Sequence, residues 1–226
     1  MPDIHTKWQK AEEIVEVFNP DEVYFLGDYF DDFNDTVMMA QETAIWLNES
    51  LKKKNRFHLI GNHDIHYLFP RLQRCSGFTW GKYSAVSQVL SAQTLYKLHS
   101  HIWLNDYILL SHAGYSKYYT HPVKGLTKEV TQDWDKKAAQ DISSGKLPEI
   151  FWCGQDRYGS DLHSGILWLD WNFFKPMEGV CQIVGHTPDH KVRRKANNYC
   201  IDTHLRHVIL IDENDGFKIE VKGVTL

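Results

Sequence analysis

The chain offers no paired cysteines: Cys75, Cys153, Cys181 and Cys200 are scattered, with no Cys-x-x-Cys among them. That spacing suggests neither a zinc knuckle nor a disulfide framework, and the four read as reduced thiols. No apolar run reaches the roughly 18 residues of a spanning helix, and the N-terminus lacks the basic-then-apolar layout of a signal peptide. A cytoplasmic protein with no membrane partner is the expectation. Charge of one sign is scarce too: the formal net charge is -4, so no general attraction draws the surface to nucleic acid. Repeats, low-complexity tracts and linkers are missing as well, and 1–226 reads as a single domain.

What is present is ordinary globular material, 42% hydrophobic and 24% charged, which excludes disorder. The one excess is histidine, 13 residues. Imidazole is the commonest transition-metal ligand and a proton carrier near neutral pH, so the positions of these residues matter. Trp152, Trp168 and Trp171 lack basic interleaving and read as packing rather than a base-stacking platform.

Trp8, Ala11, Val15 and Phe18 recur at helical spacing and predict a helix over about 6–18, stopped by Asn19-Pro20-Asp21. Val23–Leu26 reads as a buried strand before Gly27-Asp28. A second helix is expected from about Asp35, as N-cap, to Leu51, and a second strand at 57–60 leads into Gly61-Asn62-His63-Asp64. A helix over 84–99, strands at 102–104 and 107–110, and a polar helix over 127–142 follow. The segment 151–165 reads as a surface loop. Strands are predicted at 166–169, 182–184, 199–202, 208–212 and 217–221, the last two joined through Asn214-Asp215-Gly216. Strand, loop and helix alternate, the signature of an α/β core whose functional groups gather beyond the carboxyl ends of the strands.

Five polar clusters stand in order: Asp3-Ile4-His5, Gly27-Asp28 with Asp31, Gly61-Asn62-His63-Asp64, Ser111-His112-Ala113-Gly114 and Gly185-His186-Thr187-Pro188. The last four follow apolar runs. Carboxylate, amide oxygen and imidazole make a mixed donor set suited to Mn, Fe, Zn or Co. Taken singly, each has a bland rival: one histidine at a strand end is more often a hydrogen-bonded structural residue, and Asp31 or Asp64 could cap the following helix. His58, His99, His101, His121, His163 and His207 read as solvated or structural, and His66 and His190 as surface residues with a possible role around the metal ligands.

In that order the clusters resemble the calcineurin-like metallophosphoesterases, closest to their phosphoprotein phosphatase and diadenosine tetraphosphatase branch. Gly27-Asp28-Tyr29-Phe30-Asp31 is similar to the phosphoprotein phosphatase form, and Ile201-Asp202-Thr203 to the step after the last histidine. The resemblance implies an α/β sandwich of two mixed β-sheets flanked by helices. It also implies a dinuclear phosphoesterase that hydrolyses a phosphomonoester or phosphoanhydride. Two divalent ions, Mn the expected choice in vitro, would lie about 3.5 to 4 Å apart and turn a bridging water into the attacking hydroxide. Asp3 and His5 would hold the first ion, Asp28 would bridge, and Asn62, His112 and His186 would hold the second. His63 would be the general acid, oriented by Asp31, with Asp64 supporting that loop.

Three departures from the pattern follow. Only Met1 and Pro2 precede Asp3, so without a preceding strand Asp3 and His5 are expected on a free end. The family's phosphate-binding Arg after Asp31 is replaced by Asp32, which leaves Arg157, Arg71 and Arg74 as substrate-binding candidates. His204 stands where Gly is usual. The partner would be a phosphorylated substrate: a phosphoprotein, a nucleotide or a small metabolite. A cyclic nucleotide phosphodiesterase and a non-catalytic metal-binding module of the same fold are the alternatives.

Overall fold

A computed structural model describes residues 1–71, 75–116, 125–159 and 164–225. Helix α1 (Trp8–Phe18) buries Ala11 and Ile14 and ends at Asn19, whose left-handed backbone returns its N–H to the Val15 carbonyl. Strand β1 (Val23–Phe25) pairs in parallel with β2 (Arg56–His58). Between them, α2 (Val37–Ser50) starts at Thr36, not Asp35. The Thr36 hydroxyl accepts the Met39 amide hydrogen at 3.2 Å, and Asp35 is turned to a lysine instead.

The single helix expected over 84–99 is two: α4 (Trp80–Ser87), capped by Thr79, and α5 (Ala92–Leu95), capped by Ser91. A capping hydroxyl inside a periodic pattern starts a new helix, because it satisfies amides that a continuous helix would bond internally. One short helix precedes them, α3 (Ile65–Leu68). Strands β3 (His101–Trp103) and β4 (Ile108–Ser111) come next, then α6 (Lys128–Ser143), followed by 3-10 turns at Glu149–Phe151 and Gln155–Arg157.

Residues 166–169 form a turn rather than a strand, with Trp168 and Leu169 amides bonded to the Gly165 carbonyl. Their apolar character comes from burial, which a short run shares with a core strand. The chain ends in β5 (Cys181–Val184), β6 (Arg193–Lys195), β7 (Asn198–Cys200), β8 (His207–Asp212) and β9 (Lys218–Gly223).

One mixed sheet has the order β3-β4-β5-β7-β6, with β4, β5 and β7 parallel. The rest of the sandwich consists of two separate pairs, β1-β2 and the antiparallel β8-β9. Side chains alternate across the sheet as its pleat requires. Ile108, Leu110, Cys181 and Ile183 pack with Leu26, Leu59, Ile209 and Ile211. On the opposite face Val184 meets Trp171 and Phe174. Trp168 and Trp171 are buried in the core, as packing residues should be, but Trp152, expected to pack with them, is exposed.

Residues 1–6 do not hang free. Met1 makes one rung of parallel pairing beside β1: its amino group donates to the Tyr24 carbonyl at 2.6 Å, and the Leu26 amide donates to the Met1 carbonyl at 3.0 Å. The amides of Ile4 and His5 then donate to the Asp28 carbonyl at 3.0 and 2.8 Å. A cavity of about 640 Å³ lies beside this rung, between β1, β8 and α1, away from the polar clusters.

Candidate metal centre

The apolar strands β1, β4 and β5 fix the starts of three loops, and the backbone turns sharply where the polar residues begin. Asp28, Asp31 and His186 have φ of 53°, 64° and 68°, and His5 has 42°. Non-glycine residues in the left-handed region cost of order 1–3 kcal/mol each, and such strain clusters where side chains must be aimed. Gly27 (φ 98°) is needed for a different reason: a Cβ there would strike the backbone of Ile60 and Gly61. The second and third motif loops therefore touch main chain to main chain.

Two groups of side chains result, and they share Asp28. His5, Asp28 and His63 form one, and Asp28, His112 and His186 the other; in each, one donor atom per residue lies within 4.8 Å of the others. Asp28 Oδ2 is 3.8 Å from His5 Nε2 and 3.4 Å from His112 Nε2. Asn62 completes the second group: its Oδ1 lies 2.8 Å from His112 Nε2 and 2.7 Å from His186 Nδ1. His112 Nδ1 sits 2.8 Å from the Leu26 carbonyl, which fixes a hydrogen on that nitrogen and turns Nε2 toward Asp28 and Asn62. Burial favours a neutral His112 ring, but the adjacent Asp28 carboxylate outweighs it and raises the pKa to about 10. Burial pushes the Asp28 carboxyl up, but the surrounding imidazoles, led by His112, outweigh it and hold the group well below the usual range.

A carboxylate, an amide oxygen and two imidazoles thus face one point. A cation between them would satisfy all four; without one, a proton on the His112 ring, or a turned-over Asn62 amide whose nitrogen donates to Asp28, His112 and His186, takes that part. The mixed oxygen and nitrogen set, buried with a carboxylate, fits a divalent transition ion.

The sequence-expected residues divide as follows. Asp28, His5, Asn62, His112 and His186 are drawn together. Asp3 joins neither group: its carboxylate is buried and accepts the His186 amide hydrogen at 3.0 Å, tying the first motif to the last. Burial, then repulsion from Asp202, raises its pKa. His63 stands in the first group and also 4.0 Å from Asp31 Oδ2 through Nδ1. Burial lowers the His63 pKa to about 3 and raises that of Asp31 to about 7. Asp64 caps nothing; it bonds the amides of Asp28, Tyr29 and Gly61. Arg157 pairs with Asp170 at 2.7 Å and donates to Thr187 Oγ1 at 3.3 Å, next to His186. Arg71 is exposed, and Arg74, His121 and His163 lie outside the described residues.

Several residues about the centre were not anticipated. His66, expected at the surface, is buried beside Trp168, which itself faces His186. Tyr67 donates to Asp31 Oδ1 at 2.9 Å, Lys82 Nζ lies 3.7 Å from the same oxygen, and the Cys75 thiol meets Asn62. A helical lysine, a tyrosine and a histidine in a four-residue helix carry no sequence signal for such positions.

The fold and the centre define an α/β protein that gathers carboxylate and imidazole groups at the carboxyl ends of its strands. Residues 1–209 match the family model described as calcineurin-like phosphoesterase, and the chain belongs to that family. A cold-active protein tyrosine phosphatase, solved as a point mutant, is similar in fold. It has 16% identity and a TM-score of 0.56, over 89% of this chain and 69% of that one. A protein serine/threonine phosphatase of Saccharomyces cerevisiae, similar to human phosphatase PP5, matches at 14% identity and a TM-score of 0.47. That match spans 88% of this chain and 64% of the other. No curated protein matches. The family implies divalent metal ions. Among the described residues no helix is long and apolar enough to cross a membrane.

Proposed function

We propose that the protein is a dinuclear metal-dependent phosphoesterase that cleaves a phosphomonoester or phosphoanhydride. The observation that carries this reading is Asp28, a single buried carboxylate common to two groups of metal-competent side chains. His5 and Asp28, with Asp3 beside them, would hold one ion, and Asp28, Asn62, His112 and His186 the other. Bound there, a pair of ions would compensate phosphoryl charge and lower the pKa of a nucleophilic water.

The chain's own groups supply the rest. His63 protonates the leaving oxygen through Nε2, the ring nitrogen turned away from Asp31. Burial keeps the resting imidazole neutral; the Asp31 carboxylate 4.0 Å away and an incoming phosphoryl dianion both favour its charged form. Arg157, adjacent to Thr187, supplies the cation that Asp32 replaces in the motif and takes a non-bridging phosphoryl oxygen. Exclusion of water falls to Trp168, which packs beside His186.

Manganese-dependent hydrolysis of p-nitrophenyl phosphate and glycerol 2-phosphate by the native protein, His63→Ala and Asp28→Asn tests the proposal. The expected outcome is turnover of both substrates in the first, loss of rate chiefly on glycerol 2-phosphate with metal retained in the second, and loss of rate on both substrates with no more than one ion kept in the third. Metal bound without turnover in the native protein would instead indicate a binding module.

A further inference from the structure

Lys82 belongs to none of the ordered motifs and to neither metal group, yet it is a buried cation beside the centre, 4% exposed. An ammonium taken out of water is costly unless its hydrogens find partners. Lys82 projects from α4, which Thr79 caps, and its Nζ donates to the Gly77 carbonyl at 2.7 Å and pairs with Asp35. Its remaining neighbour is Asp31 Oδ1 at 3.7 Å. Gly77 itself, at φ 85°, lies close against Asp31: a Cβ there would sit 3.2 Å from the Asp31 carbonyl oxygen.

The two oxygens of Asp31 are consequently unlike. Oδ1 accepts the Tyr67 hydroxyl hydrogen at 2.9 Å and faces Lys82. Oδ2 is buried, has no hydrogen-bond partner among the described residues, and lies 4.0 Å from His63 Nδ1. We propose that Lys82 is a positioning residue for phosphoester hydrolysis: together with Tyr67 it holds Asp31 Oδ1, and so aims Oδ2 at His63 Nδ1. The inference rests on the reading of His63 as the general acid. Its geometry is that of a relay of orientation, from α4 through a carboxylate to the imidazole, with no contact between Lys82 and substrate.

Leaving-group chemistry tests it. A nitrophenolate leaves without much protonation, whereas an alkoxide does not, so loss of general-acid positioning is felt selectively by alkyl phosphates. Lys82→Met is expected to lower kcat on glycerol 2-phosphate by about 10-fold or more while p-nitrophenyl phosphate changes by less than about 3-fold. KM and metal content stay as in the native protein, and Lys82→Arg restores most of the lost rate. Should Lys82→Met fold poorly, Lys82→Gln, which keeps a donor for Gly77 and Asp35, carries the same comparison. An equal loss on both substrates, or no loss on either, overturns the inference. His63→Ala, run alongside, separates the two readings. If it lacks leaving-group selectivity, the general-acid assignment fails, and the inference fails with it. If it has that selectivity and the Lys82 variants do not, the inference alone fails.

Discussion

The carboxylate of Asp64 accepts the amide hydrogen of Asp28 at 2.8 Å. The same carboxylate takes the amides of Tyr29 at 2.9 Å and Gly61 at 2.8 Å, so one fully buried side chain ties together the two loops that carry Asp28 and Asn62. Its substitution leaves three buried N–H groups without an acceptor. At about 1–3 kcal/mol for each, Asp64→Ala should destabilise the metal-free protein by roughly 3 kcal/mol or more. Urea unfolding measures this, and a change below about 1 kcal/mol would show the loops to be held by other means.

Gly27 and Gly61 meet at the same crossing, and the contact leaves no room for a side chain. Gly27→Ala combines a φ of 98° with a collision against main chain, which cannot rotate away as a side chain can. The expected result is a loss of about 3 kcal/mol or more, read as a lowered thermal midpoint, whereas Gly145→Ala, with open space around it, should lose less.

His58 predicts a pH dependence remote from the metal centre. The ring is 1% exposed, between the Tyr29 hydroxyl at 3.0 Å and the Ser50 hydroxyl at 2.9 Å. Burial, then the charge of Arg56, lowers its pKa from 6.5 to about 3. Between those values the unfolded chain binds the proton that the folded one refuses, so stability rises with pH there and falls on acidification from about 6.5 toward 3. One such group gives a slope of up to about 1.4 kcal/mol per pH unit. Denaturation of metal-free protein at pH 6.5 and 4.5 should show a steeper loss for the native chain than for His58→Gln; parallel losses would remove His58 as the source.

Arg157 yields a kinetic prediction. Arg157→Ala should raise KM for p-nitrophenyl phosphate about 10-fold, a loss of roughly 1.4 kcal/mol of phosphate binding. Arg71→Ala, at an exposed position, should leave KM unchanged. The reverse pattern would transfer phosphate recognition to the third motif's loop.

Much of this candidate centre was legible because its converging side chains sit at the ends of apolar runs: Phe25-Leu26 before Asp28, Leu59-Ile60 before Asn62, Leu109-Leu110 before His112 and Ile183-Val184 before His186. Strand ends in an α/β core are where side chains converge. What stayed hidden depended on contacts rather than pattern. Ile166–Leu169 reads as a strand because a buried turn and a buried strand have the same composition. The division of α4 from α5 rests on a serine hydroxyl whose capping role emerges only when the chain bends. Lys82 looks like any solvated helical lysine until Asp31 and Asp35 are found beside it. The docking of residues 1–6 on β1 could not be read from two preceding residues. In the same way, nothing in Asp-x-His foretells the bond that the Asp3 carboxylate accepts from the His186 amide.

The central claim is that Asp28 serves two ions at once, and metal content of the purified protein after saturation with manganese tests it most directly. The account predicts two ions per chain in the native protein and no more than one in Asp28→Asn, with the variant still folded by circular dichroism. A native protein that takes up a single ion, or an Asp28→Asn chain that still takes up two, would contradict it.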